Sequence, residues 1–596
     1  MITPMTKYSF ILLNGEQEGL LEKLQETGLV DITRSVKPID DHTEALMAQY
    51  RDIDDTVKAV SRISVPEGTL TVPADGDLLP YAKGVLTEYN GLKEKLREDQ
   101  KEAAAVSVWG KFSKEDLDLL ERHGLKLHFH KVSAKTFKEE WADEFPIKVI
   151  EQDKTGVFFV TVGESTLPGE IKAPKHCSEE LEWQISEIEA GIATAYGRIK
   201  GLQAKSAELE AQGQAVLAEL DLSLANAAAV PAAENTIVTL EGYAPTEKDD
   251  VVKEALDSLD VFYLSQEAVA EENPPIAFRN NKFVRMFETL TDMYGRPSYD
   301  GFDPTPFISV FFLLFFAFCM GDAGYGLVLV IIGLALKKML KDLAPLVVTL
   351  GIGTMVIGFL FHTFFSMDIS QWQIFAPIKG IFLPAQIAGN DATMILALAV
   401  GILHICLAMV VKTIHETKTK GFAASLGTWG WALLVVGGVT IAAFALAGVL
   451  DAALTKWIVI VLGIVSALGI FVFNDPKRNK LANIGMGLWD TYNMITGLVG
   501  DVLSYIRLYA LGLAGSMLGM AFNDMGVMIL GDSPNIGKWI GFLLLIIFGH
   551  TLNIAMCALG AFVHPLRLNF LEFFKNAGYE ANGRAYNPLK KSLNKQ

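Results

Sequence analysis

The sequence predicts an α+β cytoplasmic domain with a long coiled-coil helical hairpin arm, followed by a polytopic α-helical membrane domain of eight spans, the last two long and steeply tilted. Of the 596 residues, 51% are hydrophobic and 20% are charged, a balance that fits a polar part joined to a membrane part. Heptad patterns recur in the first half, and apolar segments follow one another after Pro304. We therefore assign residues 1–300 to the arm and residues 301–596 to the membrane domain.

Composition also excludes several classes of protein and of functional site. The net charge of −17 argues against a nucleic-acid partner. The four cysteines are scattered without a CxxC pair, which favours reduced thiols over a disulfide framework or a metal site. The N-terminal segment MITPMTKYSFILLNGEQEG has no basic region typical of a signal peptide, so we expect a cytoplasmic N-terminus. No spacing suggests a metal, a cofactor or a nucleophile, and we expect the chain to catalyse no covalent chemistry itself.

The arm is predicted from two kinds of pattern. Segments 7–34 and 236–268 each have the pattern of a strand, an amphipathic helix and a strand. Between them, apolar residues recur with alternating spacings of four and three from Leu181 to Leu220, which indicates a coiled-coil seam of about 60 Å. Similar seams at 46–60 and 85–103 can supply the partner as an antiparallel hairpin. A self-contained helical domain is the alternative.

The membrane domain follows from the apolar segments. The eight predicted spans are 305–320, 323–340, 343–366, 391–412, 426–448, 455–473, 485–525 and 536–574. The last two far exceed the ~20 residues that a span requires, so they must tilt or bend. The predicted inner loops KKMLKDLAP, VKTIHETKTKG and NDPKRNKLANIG are rich in Lys and Arg, whereas the outer loops carry only Lys379, Lys456 and Lys538. This asymmetry predicts a cell-membrane protein with both termini in the cytoplasm.

Arg507 is the most informative residue of the membrane domain. It lies near the middle of GDVLSYIRLYALGLAG, and a guanidinium cannot be discharged by losing a proton. A charge at the bilayer centre costs from roughly 2.5 to more than 10 kcal/mol. On a helix, Ser504 and several small residues share its side, which predicts a surface shaped for close packing against another helix. A permanent ion pair with Asp501 or Asp490 of the same chain is the structural alternative.

Further polar residues accompany this arginine. Arg567 follows His564 by one helical turn in the last span, and it can snorkel to the interface or act with Arg507. Asp322 lies between the first two spans and is a candidate for lining an aqueous entry. Asn493 adds a polar group to the seventh span.

These segments resemble one family, the membrane stator subunit of V/A-type rotary ATPases (subunit a, or subunit I in bacteria and archaea). LSYIRLYALGLAG is similar to the segment around that family's essential arginine, and HPLRLNFLEFF to its last-helix signature. NNKFVRMFETLTDMYGRPSYDGFDPTPF resembles the junction before the first span, and MGDAGYG the first hairpin. The resemblance covers essentially the whole chain.

The resemblance implies a function and partners. The membrane domain would lie against a rotating ring of proteolipid c subunits, whose carboxylates bind H⁺ or Na⁺. Two offset half-channels would lead ions to and from the ring, and Arg507 would force each ring carboxylate to release its ion. The arm would bind peripheral stalks of E/G-type subunits, and through the complex the chain would be linked to the central stalk and the catalytic A/B subunits.

The sequence also departs from the family pattern. Cys557 stands where some relatives have a glutamate, Gly515 where eukaryotic members have a histidine, and Asn493 where they have a glutamate. We therefore take Asp490, Asn493 and Asp501 as the candidates for the cytoplasmic half-channel, with the coupling ion open between H⁺ and Na⁺.

Two other functions compete with this interpretation. A secondary ion transporter would favour internally repeated halves, and the sequence contains no such repeat. A non-conducting membrane scaffold has no use for Arg507. Co-purification distinguishes the stator from the other two functions, because a stator would bring down rotor and catalytic subunits.

Overall fold

A computed structural model describes the chain except for residues 14, 36, 75, 111, 134–135, 139, 154–155, 164–166, 173–175, 233–235, 260, 341–342, 372, 375–379, 381, 385, 388, 474–479, 532–534 and 592–596. Among the charges that set the predicted orientation, Lys341, Lys379, Lys477 and Arg478 lie outside the described residues. The chain divides into two compact units. The polar unit comprises Phe10–Leu240, Ala255–Phe262 and Leu589–Gln596, and the apolar unit comprises Met1–Ser9, Glu241–Glu254 and Tyr263–Pro588.

In the part of the chain that the structure describes, the strands form two larger sheets and two small hairpins. The strands are β1 Met5–Leu13, β2 Asp31–Ile32, β3 Leu127–Val132, β4 Ile147–Asp153, β5 Gly156–Val162, β6 Glu170–Ile171, β7 Val230–Ala232, β8 Ile237–Pro245, β9 Phe262–Glu267, β10 Thr363–Phe364, β11 Met367–Asp368, β12 Gln386–Ile387 and β13 Asn390–Asp391. The sheet orders are β2-β8-β1-β9, with β7 paired to β8, and β4-β5-β3-β6. Strands β10 and β11, and likewise β12 and β13, pair with each other. In the second sheet β5 pairs antiparallel with β3, placing His130 opposite Phe159. The first half of the chain is thus an α+β structure.

Long helices dominate the polar unit. Its helices, the last of which begins in the apolar unit, are α1 Gln17–Thr27, α2 Asp41–Arg62, α3 Leu78–Val106, α4 Lys114–Arg122, α5 Trp141–Glu144, α6 Ser178–Ala204, α7 Ser206–Ala227 and α8 Asp249–Asp257. Helix α2 begins with a capping box, in which Asp40 accepts from the Thr43 amide at 2.8 Å. The amide and hydroxyl of Thr43 lower the pKa of the Asp40 carboxyl from its usual value.

The heptad positions are buried where the long helices pair. Helix α3 packs along α6 and α2 along α7, and the pairs run antiparallel: Tyr89 meets Tyr196, while Ile53 meets Gly213. Along α6 the seam residues Leu181, Ile188, Ile192, Ala195, Ile199 and Leu202 are buried. The heptads predicted one unbroken helix, but it is interrupted at Lys205, with φ −99° and ψ 11°. The extended arm itself stays a prediction.

The connector between α2 and α3, residues 63–77, lies over this interruption. The Val72 amide donates to the Gly197 carbonyl at 3.0 Å, and Lys205 Nζ donates to the Ala74 carbonyl at 2.8 Å. A side chain at Gly201 would collide with the Val72 carbonyl, so glycine permits the close approach. The connector is thus bonded to the last turns of α6 and to Lys205 itself.

The apolar unit contains the membrane-like helices. Its helices are α9 Lys282–Arg285, α10 Glu288–Tyr294, α11 Thr305–Met320, α12 Ala323–Ala335, α13 Lys337–Leu340, α14 Ala344–Leu360, α15 Ala392–Lys420, α16 Leu426–Ala432, α17 Gly438–Leu446, α18 Ala452–Ala467, α19 Lys480–Ser504, α20 Ile506–Leu530, α21 Ile536–Arg567 and α22 Phe574–Ala577. The π-helical segments Leu433–Gly437, Leu468–Val472 and Leu568–Phe573 continue α16, α18 and α21.

Among the described residues, five helical segments are long and apolar enough to cross a membrane. They are Ala392–Lys420, Ala423–Leu446, Ala452–Val472, Asn483–Leu530 and Ile536–Ala577. The three remaining predicted spans correspond to the shorter apolar helices α11, α12 and α14. Helices of spanning composition are therefore confirmed at five of the eight predicted places, while the eight-span topology stays a prediction.

The short helix α11 lies at the centre of the apolar core. It is rich in phenylalanine all round, and Phe312 and Phe315 are completely buried. Helices α14, α20 and α21 pack against it, and the same core includes Phe573 of the π-segment after α21. A helix that is apolar on every side belongs inside a bundle. Helix α11 thus forms the buried surface against which α20 and α21 pack.

Candidate functional site

The seventh apolar segment is interrupted near its middle, at Tyr505. Helix α19 ends at Ser504 and α20 begins at Ile506, so Tyr505 separates them. The Tyr505 amide donates to the Val502 carbonyl and the Leu508 amide to the Tyr505 carbonyl, both at 3.1 Å, so the chain tightens locally to i→i+3 bonds. Arg507 therefore lies in the first turn of α20.

Arg507 carries a positive charge that the described residues do not neutralise. The residue is half-buried, its Nη1 is buried without a hydrogen-bond partner, and no ion pair to it occurs within the described ranges. The Asp501 carboxylate is instead held by Lys575 Nζ at 3.2 Å and by Asn576 Nδ2 at 2.8 Å. The permanent pair with Asp501 or Asp490 is thus not formed. An unpaired charge in a partly buried position is costly, so an anion from outside the described chain could stabilise this arginine.

His564 and Arg567 lie next to Arg507. Both arginines are near enough to His564 to act on it electrostatically, and His564 Nδ1 is buried without a partner in the described structure. Arg567 itself is exposed at the end of α21. Pro565 lies inside this helix, and the π-segment begins directly after Arg567. Two arginines and a histidine therefore meet where α20 and α21 pack together.

The sequence reasoning missed a carboxylate in this region, Glu572. It is 4% exposed, and its Oε2 has no hydrogen-bond partner among the described residues. Ser504, Arg567 and Asp501 are its polar neighbours. Asn569, also buried, donates from Nδ2 to the Pro565 carbonyl at 2.8 Å, while its Oδ1 has no described partner. Buried oxygens with unfilled hydrogen-bonding capacity are where water or a hydrated cation binds.

Asp490 and Asn493 lie earlier on α19. Asp490 is half-buried and Asn493 is exposed, at positions one helical turn apart. Together with Asp501 and Ser504 they form a polar series on α19 that precedes Arg507 in the chain. The structure thus brings Asp501 and Ser504 to Glu572, and leaves Asn493 on the surface of the unit.

A buried polar network lies on the other side of Arg507 along α20 and α21. Asn553 Nδ2 donates to the Tyr325 hydroxyl oxygen at 2.8 Å, and His550 Nδ1 lies 2.9 Å from the same oxygen. His550 Nε2 lies 3.0 Å from Asn523 Oδ1, and Cys557 Sγ donates to Asn553 Oδ1 at 3.3 Å. We call these five residues the Tyr325 network. It links α12, α20 and α21.

Asp322 is a helix cap that also holds a strained turn. Its Oδ1 accepts from the amides of Tyr325 at 3.0 Å and Phe365 at 2.9 Å, and its Oδ2 accepts from the Ser366 amide at 2.6 Å. Phe365 and Ser366 form the two-residue loop between β10 and β11, with φ of 48° and 57°. Such a turn normally uses Asn or Gly. The sequence suggested an aqueous entry at Asp322, and the structure gives its carboxylate a buried capping position.

A second carboxylate stabilises the end of the same hairpin. Asp368 Oδ1 lies 3.0 Å from His362 Nδ1 and accepts from the Ser370 amide at 2.8 Å. Burial alone would raise the pKa of the Asp368 carboxyl, but the hydrogen bonds from Ser370 and the His362 ring outweigh burial and lower this pKa.

The small residues near Arg507 serve two different surfaces. A side chain at Gly515 would come within 2.5 Å of Cys557 Sγ, and one at Gly519 would come within 2.9 Å of the Tyr325 hydroxyl. These glycines therefore let the chain's own α21 and β10–β11 hairpin approach α20. Ala510, Ala514 and Met517 lie on the exposed side. The packing surface predicted around Arg507 is thus partly internal.

Comparison with known proteins gives consistent matches along the chain. The model of the V-type ATPase 116kDa subunit family matches residues 173–373 and 488–591, together more than half of the chain. The second range contains Arg507, Arg567 and Glu572, and the first contains Asp322.

Individual relatives extend this match. V-type ATP synthase subunit I of Borreliella burgdorferi is 26% identical over 629 residues, covering 99% of this chain and 100% of the relative. A-type ATP synthase subunit I of Methanocaldococcus jannaschii is 29% identical over 452 residues, covering 69% of this chain and 64% of the relative. A-type ATP synthase subunit I of Pyrococcus horikoshii is 34% identical over 332 residues, covering 53% of this chain and 48% of the relative.

Proposed function

The chain belongs to the V-type ATPase 116kDa subunit family, the membrane subunits of rotary ATPases, and from this premise we propose that it is a stator that carries H⁺ or Na⁺ to and from a rotating ring. The single observation that carries the proposal is Arg507, whose charge is half-buried and unpaired within the described chain. A fixed positive charge lowers the pKa of an approaching carboxylate and so displaces its ion. Lysine could instead be neutralised by burial.

Two polar regions on opposite sides of Arg507 support two separate ion routes. Asp501, Ser504 and Glu572 lie on one side, along α19 and the end of α21. The Tyr325 network lies on the other side, along α20 and the middle of α21. An ion that enters by one route must then pass Arg507 on a ring carboxylate before it leaves by the other. Asp490 and Asn493 extend the first route, which we assign to the cytoplasmic face.

The partners follow from the same proposal. The exposed side of α20, with Ala510, Ala514 and Met517, faces the proteolipid ring. The paired helices α2, α3, α6 and α7 form the arm that binds E/G-type peripheral stalks. The apolar helices lie in a cell membrane as eight spans with both termini in the cytoplasm. ATP chemistry belongs to the catalytic A/B subunits, and this chain acts as a non-catalytic ion-translocating subunit.

Transport by the reconstituted complex tests the proposal. Arg507→Ala and Arg507→Lys should abolish ATP-driven ion transport and leave the complex assembled, because neither replacement provides a fixed planar charge. Lys456→Ala is the matched control, an exposed basic residue near the start of α18. Transport in Arg507→Ala above about a tenth of wild type, a barrier change below ~1.4 kcal/mol, would rule out the proposed role. Varying Na⁺ at fixed pH in the wild-type complex then identifies the coupling ion.

A further inference from the structure

A side chain two residues before Arg507 is held by another helix more than a hundred residues away. Tyr505 is completely buried, although it occupies the only residue between α19 and α20. Its hydroxyl lies 3.0 Å from His404 Nδ1, on α15. Contacts from outside α19 and α20 therefore fix the residue at which the two helices join.

Helix α15 is shaped to receive the Tyr505 ring. A side chain at Gly401 would come within 2.7 Å of Cδ1 and Cδ2 of that ring, nearer than real carbon atoms approach. Gly401 and His404 are one turn apart on α15, so the glycine admits the ring and the histidine bonds its hydroxyl. Phe315 of α11 borders the ring from a third direction, with ring centres 5.8 Å apart.

His404 is itself immobilised by aromatic neighbours. Its imidazole stacks on Phe573 with ring centres 4.8 Å apart and lies 4.2 Å from the ring centre of Phe311. Its Nε2 is buried without a hydrogen-bond partner among the described residues, so the bond to Tyr505 is the polar contact that orients the imidazole. The imidazole cannot turn without losing its stacking on Phe573 and the bond to Tyr505.

We infer that Tyr505, seated between Gly401 and His404, is a positioning residue that sets the rotation of the first turn of α20 and so the place of Arg507. The inference rests on the proposed role of Arg507. A helix turn that begins immediately after an immobilised residue has its direction defined by that residue. Arg507 lies outside this group of aromatic contacts, so its charge is free to meet a ring carboxylate. The contacts of Tyr505, in turn, fix the orientation of the first turn of α20.

The test removes one hydrogen bond in two ways. Tyr505→Phe and His404→Phe each delete the bond between the hydroxyl and Nδ1 and keep an aromatic ring in place. Each should reduce ATP-driven ion transport per assembled complex by roughly threefold to tenfold, the range that one net hydrogen bond is worth. The double variant should be no worse than either single variant, since both act on the same bond.

Glycine variants supply an independent comparison. Gly401→Ala should lower transport per complex because its methyl group displaces the Tyr505 ring. Gly463→Ala is the matched control, since an added methyl at this helical glycine meets nothing within 4 Å. Unchanged transport per complex in both phenylalanine variants, with only the yield of complex reduced, would show that the bond is merely structural and overturn the inference. Single-variant losses that multiply in the double variant would overturn it as well.

Crosslinking reads the position of α20 directly and separates this inference from the proposed function. Single cysteines at Ala510 and Ala514, in a background lacking the four native cysteines, should crosslink to the rotor helix. Their ratio of crosslinking should change at least about twofold when Tyr505→Phe is added, as expected for a helix that rotates by a fraction of a turn. Absence of crosslinks in the otherwise unaltered background contradicts the proposed function. Crosslinks with an unchanged ratio contradict only the positioning role.

Discussion

Replacing Asp322 by asparagine separates the two roles that the sequence and the structure suggest for this carboxylate. Its two oxygens accept three backbone N–H groups at 2.6–3.0 Å. Asparagine has one side-chain oxygen, and its NH₂ group must then face at least one of these donors. One or two charge-assisted bonds are lost at about 1.5–3 kcal/mol each, and one buried donor is left unsatisfied.

The turn that loses these bonds is already strained. Phe365 and Ser366 both have positive φ, at a cost of about 1–3 kcal/mol for each strained residue. We therefore expect Asp322→Asn to destabilise the closed β10–β11 hairpin by roughly 2–5 kcal/mol. Amide hydrogen exchange at residues 363–368 should accelerate by at least about 30-fold, which corresponds to the lower limit.

Hydrogen exchange on the purified complex, together with its thermal denaturation midpoint, measures this effect. Asp524→Asn is the control, an exposed acid on α20 with no hydrogen bond or ion pair in the part of the chain described. Unaltered exchange and an unaltered midpoint in Asp322→Asn would refute the capping argument. If transport were then lost, Asp322 would act on the ion route instead.

Three further predictions concern the ion route and the arm. Arg567→Ala should lower ATP-driven transport less completely than Arg507→Ala, because Arg567 is exposed; equal and total loss in a normally assembled complex would contradict this ranking. Glu572→Gln should reduce transport by roughly tenfold or more and Glu572→Asp by less, since a carboxylate in a buried route needs its charge; equal activity of the glutamine variant and wild type would exclude Glu572 from the route. Residues 1–300 should bind E/G-type stalk subunits in a pull-down from a reconstituted mixture, and failure to bind would count against the arm assignment.

Patterns spread over many residues were predictable from the sequence. Apolar segments of sufficient length indicate membrane-like helices because burial of apolar surface and backbone hydrogen bonding decide the outcome together. The same holds for the heptad positions of α6, whose seam residues are buried. Arg507 could be singled out since a permanent charge in an apolar run is rare.

Features that depend on one local deviation were not predictable. Glu572 is five residues beyond Arg567, which places it on another face of an α-helix with ~3.6 residues per turn. The π-segment Leu568–Phe573 forms i→i+5 bonds, and this wider turn changes the face on which Glu572 lies. The pairing of Tyr505 with His404 spans 101 positions, and helical periodicity contains no information about it.

Glycine positions had a similar ambiguity. The small residues near Arg507 indicated a close approach, but their pattern is the same for an external and an internal neighbour. Gly515 and Gly519 admit the chain's own Cys557 and Tyr325. Only the tertiary arrangement distinguishes these two uses.

The connector over Lys205 bears on how the polar unit responds to load. Bending the long helix at this interruption would break the bonds of Val72 to Gly197 and of Lys205 to Ala74, and would disturb those of Gln203 with the end of α2, at 2.9 and 3.0 Å. Because α2 also packs along α7, the bonds of Gln203 tie α6 to a helix that passes the interruption. If the unit resists the torque of a rotor, bending at this joint is therefore opposed by the loss of these bonds.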